Sequence, residues 1–134
     1  MKDISLPTLL VPLSWGEVID KMTILEIKSG RLSGENALAN VKAELSRLSE
    51  IAAPHLSKYP ALSDLRERLR QVNEALWDIE DAIRKKEAAG VFDDQFIELA
   101  RSVYKRNDAR AAIKREINLA VGSEFIEEKA YQNY

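Results

Sequence analysis

The stretch "LSDLRERLRQVNEALWDIEDAI", Leu62 to Ile83, decides the fold class. Leu62, Leu65, Leu69, Val72, Leu76, Ile79 and Ile83 recur in alternating steps of three and four, which is the seam of an amphipathic helix and not the two-residue alternation of a strand. The spacing predicts a helix (helix 3) from about Pro60 to Ala89, sustained for three heptads without a break. Such a seam packs against near-parallel or antiparallel neighbours.

Working outward, "AAGVFDDQ" ends that helix and starts another. Gly90 stands past the C-terminus, Asp93 is the expected N-cap, and Phe92 and Ile97 hold staple positions around it. Helix 4 then runs to about Val121, closed by Gly122, and forms a long hairpin with helix 3. Upstream, "PHLSKYP" reads as a loop containing the single histidine, His55. Before it, helix 2 spans about Glu35 to Ala53 with Leu38, Val41, Leu45, Leu48 and Ala52 on one stripe, and Pro54 is expected to stop it. Helix 1, about Trp15 to Ser29 and ended by Gly30, opens on Ser14 and Glu17, the spacing of a capping box. Its apolar residues Val18, Ile19, Met22, Ile24, Leu25 and Ile27 wrap most of the circumference, so it should be the most buried element.

The expectation is an all-α, single-domain antiparallel bundle of four main helices over 1–134. An extended arm covers 1–13 and a short, helical C-terminal tail covers 123–134. Composition agrees: 46% of the residues are hydrophobic and 31% charged, with only 5 Gly and 4 Pro, the profile of a helix-rich globular chain. The formal net charge of -2 gives no global field toward nucleic acid or anionic membrane. There is no cysteine, which excludes disulfides and thiolate chemistry and suits a cytoplasmic location. Pro7 and Pro12 interrupt the N-terminal apolar run, so no signal peptide is read, and no window approaches the ~20 apolar residues of a membrane span.

The charges are less ordinary than the composition. In "VYKRNDARAAIKREIN", Val103 to Asn118, the residues Asn107, Arg110 and Lys114 fall on the stripe that carries Phe96, Val103, Ile117 and Val121. Glu26 falls among Trp15, Ile19 and Met22 on helix 1, and Asn73, Trp77, Glu80 and Arg84 flank the helix 3 seam. Burying such groups unpaired costs several kcal/mol each. The expectation is that Arg110 and Lys114 meet Glu26 and Glu80, with Asn73 and Asn107 supplying hydrogen bonds. Three readings compete: a network that fixes helix register; a pocket in which Arg110 and Lys114 face a small anionic ligand beside Trp77 or Tyr104; and a surface covered by a second copy or another protein.

Other constellations carry less. Glu17/Asp20, Asp78/Asp81 and Glu124/Glu128 lie one helical turn apart, a spacing that holds Mg²⁺ on the faces of all-helical nucleotide pyrophosphatases. In a chain with 22 acidic residues such pairs also arise as solvated faces, and neither metal nor cofactor is expected. Six basic residues between Arg101 and Arg115 face one Asp, but Arg101, Lys105 and Arg115 point outward while Arg106, Arg110 and Lys114 point inward. No continuous stripe for nucleic acid forms.

Four segments, "GEVIDKMTILEIK" at 16–28, "NEALWDIEDAIR" at 73–84, "FIELARSVYKRNDARAAIKREIN" at 96–118 and "GSEFIEEKAY" at 122–131, together resemble a family of small bacterial and phage all-helical proteins catalogued as a domain of unknown function. The resemblance covers helix 1 and everything from Asn73 onward, with Arg31 to Val72 matching loosely. It implies no activity, cofactor or catalytic residue. Members encoded near glycosyltransferase or tetratricopeptide genes point to surface-polysaccharide biology. The expected function is therefore non-catalytic binding or assembly, with a homodimer as the expected state. The alternative is an enzyme or sensor for a small anionic ligand, a nucleotide or sugar phosphate, with metal-dependent action left open.

Overall fold

A computed structural model describes residues 5–130 and 132–134. Among these, four helices account for all regular structure: α1 (Trp15–Arg31), α2 (Glu35–Leu56), α3 (Leu62–Ala89) and α4 (Asp94–Val121). Cross-helix pairs fix their directions. Lys21 meets Glu44 and Trp15 meets His55, so α2 runs antiparallel to α1. Ile19 clusters with Leu62 while Arg31 reaches Asp78, so α3 runs parallel to α1. Lys86–Asp93 at the tip and Arg68–Glu116 further back make α3 and α4 an antiparallel hairpin. The bundle alternates up, down, up, down.

α1 contacts all three other helices and carries seven buried residues, more than any of them, as its all-round apolar surface demands. The core cluster is Ile19 with Leu62 and Leu69 of α3 and Ile113 and Ile117 of α4. Fully burying each of these side chains contributes ~1.5–3 kcal/mol. α2 packs chiefly on α1 through the expected stripe, with Val41 and Ala52 buried.

Helix ends follow their cap chemistry. Ser14 Oγ accepts from Glu17 N at 3.2 Å and Asp93 Oδ1 from Phe96 N at 2.9 Å. Gly90 and Gly122 close α3 and α4 in the left-handed region, at φ 68° and 64°. Three local expectations are corrected. Pro54 does not stop α2, which continues to Leu56. A proline in a last turn forfeits only one carbonyl's partner, here that of Glu50, an exposed residue. His55 therefore lies in the helix rather than a loop. The tail beyond Gly122 forms no helix among its described residues; instead it runs back along α4, with Glu127 on Lys114, Glu128 on Arg115 and the Tyr134 ring edge-on to Tyr104 at 5.1 Å. Side-chain pairing to α4 takes the place of internal backbone bonds there.

Candidate functional site

α1 and α4 approach closely where α1 begins. A Cβ on Gly16 would lie 2.6 Å from the Lys114 carbonyl, so only glycine permits this spacing. The contact satisfies donors that a helix N-terminus leaves open: Asn118 Oδ1 accepts from Gly16 N at 2.7 Å, and Ser123 Oγ from Trp15 N at 3.2 Å. One turn further along, a polar network crosses three helices. The buried Asp20 accepts from Arg110 Nε at 2.9 Å and Arg110 NH2 at 2.5 Å, a bidentate pair. Asn73 Nδ2 donates to both Asp20 Oδ1 and Thr23 Oγ1 at 2.9 Å, and the Thr23 hydroxyl donates in turn to the Asp20 backbone carbonyl at 2.8 Å. Among the described residues no buried side-chain nitrogen or oxygen lacks a partner.

The same surroundings set the titration of the cations. The hydrogen bond to Asp20 raises the Arg110 pKa above its ordinary value. Burial pulls Lys114 down, but hydrogen bonds to Glu17 and Glu127 outweigh it and leave its pKa raised. In return the Lys114 hydrogen bond lowers Glu127. Lys114 Nζ lies 2.5 Å from Glu17 and 3.1 Å from Glu127, clamping the tail to the start of α1.

Toward the other end of α1 the interface opens. A groove of about 550 Å³ lies between α1, α3 and α4, lined by Ile24, Ile27, Leu76 and Trp77, with Lys28, Arg84 and Arg110 among its cations and Glu80 and Asp81 among its anions. The acids are already engaged, Glu80 by Arg84 at 3.7 Å and Asp81 by Lys85 at 3.1 Å. Lys28 has no carboxylate partner among the described residues. The Trp77 ring carries the Arg31 guanidinium over it at 5.8 Å.

Of the residues picked out by sequence, Asn73, Trp77, Glu80, Asn107 and Arg110 all line this groove, whereas Glu26, Tyr104 and Lys114 do not. The expected pairing of Arg110 and Lys114 with Glu26 and Glu80 is corrected: Arg110 takes Asp20, and Lys114 takes Glu17 and Glu127. Glu26 pairs with Arg66 and lies 4.0 Å from Arg70 on α3. Six residues separate Asp20 from Glu26, which is ~9 Å along a helix and ~120° around it, so the two acids face different neighbours. Glu80 misses Arg110 for a similar reason: in the antiparallel hairpin Asn73 is opposite Arg110, and Glu80 lies two turns beyond. Glu17 likewise does not close the capping box but turns to Lys114, and Arg106 is exposed rather than inward. Tyr104 sits outside the groove against Tyr134.

Asp20, Thr23, Asn118 and Gly16 were not singled out as members of an internal network. A signal for two of them was present: Asp20 and Thr23 stand among the apolar residues that wrap most of α1, where a buried polar group needs a partner, although the same helix leaves Lys21 exposed. Five of the six acids in the pairs seen in sequence are engaged by cations, in Glu17–Lys114, Asp20–Arg110, Asp78–Arg31, Asp81–Lys85 and Glu128–Arg115, and Glu124 is not among them. No group of three metal-ligating side chains occurs among the described residues, and none of the described helices is long and apolar enough to cross a membrane.

The model of a family of unknown function, DUF6165, matches residues 9–134. No curated protein and no solved structure matches the chain. The match spans the groove, the buried network and the tail alike, and the chain belongs to this family of unknown function, DUF6165.

Proposed function

We propose that the protein is a non-catalytic binding module whose groove between α1, α3 and α4 takes a small phosphate-bearing ligand, a nucleotide or sugar phosphate. The carrying observation is the groove itself: about 550 Å³, lined by the apolar Ile24, Ile27, Leu76 and Trp77 and by three cations, of which Arg84 and Arg110 are paired with Glu80 and Asp20 and Lys28 has no carboxylate partner among the described residues. That volume suits a small molecule, and the lining has the mixture of apolar wall and few polar groups that such sites use. Lys28 supplies a charge without a carboxylate partner among the described residues, and Trp77 supplies a flat surface for a base or sugar. Binding rather than catalysis is favoured because Glu80 and Arg110, the groups best placed for proton or charge chemistry, are held by Arg84 and Asp20. The absence of cysteine suits placing this activity in the cytoplasm.

The test is fluorescence titration of Trp77 in a Trp15→Phe background with adenosine monophosphate, glucose 1-phosphate and inorganic phosphate. A saturable change with one of the organic phosphates is expected, weakened about tenfold or more by Lys28→Ala. No change with any of the three at millimolar concentration contradicts the reading.

A further inference from the structure

The N-terminal arm is the most exposed apolar feature of the molecule. Leu6, Leu9 and Leu10 are 91, 81 and 85% exposed, and Val11 and Leu13 are at least half exposed. The arm is irregular, and Pro7 and Pro12 keep it from joining α1. Five bulky apolar side chains in nine residues form a patch that a lone soluble chain rarely leaves in water.

Two hollows open at the same end of the bundle. One, about 380 Å³, lies between α1, the end of α2 and the start of α3, with Met22, Ala53, Leu56 and Tyr59 in its wall. The other, about 160 Å³, shares Leu56 and Tyr59 and adds Trp15 and Val121. A hollow of about 150 Å³ accepts a benzene-sized group, so the pair has room for roughly three such side chains. No arm residue lines either hollow in this chain.

We infer that the arm seats in these hollows on a second copy of the chain, and the second copy's arm in the hollows of the first. The chain carries both halves of the contact at one end, which is the self-complementarity that a two-fold dimer requires, since each contact then occurs twice. The area is sufficient. Each arm side chain offers roughly 60–120 Å² of apolar surface. Three seated side chains from each of two arms, with the surfaces they cover, then bury roughly 700–1,400 Å², which reaches the lower part of the ~1,200–2,000 Å² of a stable interface. Nine residues extend up to about 30 Å, ample to reach from one copy to the next. Leu119 and Phe125, exposed beside α4's C-terminus, extend the apolar surface at that end. This interface is distinct from the α1–α3–α4 groove and stands or falls independently of the ligand proposed there.

The test is sedimentation equilibrium of the full chain over the micromolar range, with Leu9→Asp/Leu10→Asp as the arm variant and Tyr59→Asp as the hollow variant. Circular dichroism checks that each is folded. The wild type is expected to dimerise and each variant to weaken the dimer by about 100-fold or more. An equimolar mixture of the two variants should recover association, because one intact arm then meets one intact hollow. A wild-type monomer throughout the range overturns the inference, as does a dimer indifferent to the arm variant. Loss in the arm variant with no effect of Tyr59→Asp, or no recovery in the mixture, also overturns it, and a wild-type monomer that sediments with phosphatidylcholine vesicles through its arm assigns the arm to a lipid surface instead.

Discussion

The two ends of the α1–α3–α4 interface use the same residue types at opposite exposures. Around Asp20 the charges oppose one another across helices: Arg110 from α4 and Asn73 from α3 converge on a buried carboxylate, and no buried side-chain nitrogen or oxygen among the described residues lacks a partner. In the groove lining beside Trp77 the acids pair along their own helix, Glu80 with Arg84 and Asp81 with Lys85, and the interhelical space is left as a groove; the cross-helix pair near Trp77, Arg31 with Asp78, lies outside that lining. A charge on an apolar stripe thus acts as a fastener where an opposite charge lies directly across the interface, and lines a site where its partner is one turn away on the same helix. Arg110 stands at the boundary, fastened on one side and lining the groove on the other.

The largest effect expected from this contrast is at Asp20. Asp20→Ala leaves Arg110 half-buried without its carboxylate and Asn73 with only Thr23 Oγ1 as acceptor, and should destabilise the fold by about 3–5 kcal/mol in calorimetric or denaturant unfolding. A loss below about 1 kcal/mol would make the network a solvated cluster like the groove's. Next is Gly16→Ala, where the added Cβ meets a backbone carbonyl that moves only if α1 and α4 separate. A loss of ~1–3 kcal/mol is expected, and near-neutral stability would mean that this contact is looser than the geometry describes.

A smaller effect belongs to the tail clamp. Glu127 titrates below its ordinary value of 4.5, so its contribution is complete above that pH and disappears as pH falls through the lowered value. Lys114 titrates above its ordinary 10.5, so its contribution is complete below that pH and disappears as pH rises through the raised value. Glu127 is nearly half exposed, and Glu127→Gln should cost less than about 1 kcal/mol at neutral pH while flattening the acid limb of the stability profile. An unchanged acid limb would show that the tail is not held by this pair.

The helices were legible in the sequence because their seams, caps and closing glycines are local signals that agree with one another. Gly90, Asp93 and Gly122 end or start helices where the pattern places them, whereas Gly30 does not end α1, which passes through it to Arg31. The inward placement of Asn73, Arg110 and Lys114 was equally legible from periodicity. Their partners were not, because partner choice depends on relative direction and stagger. A parallel α1–α3 pair brings Glu26 to Arg66, and an antiparallel α1–α4 pair brings Arg110 to Asp20, facts that no single helix encodes. The tail was misread because its order comes from α4's charges rather than from its own spacing.

The contrast between the two ends is tested most directly by double-mutant cycles that share Arg110→Met. Combined with Asp20→Asn, the two losses should fall short of additivity, with a coupling of about 1–3 kcal/mol in unfolding free energy. Combined with Glu80→Gln, they should add within ~0.5 kcal/mol. Coupling of Arg110 to Glu80 with none to Asp20 would contradict the assignment of Arg110 to the buried network.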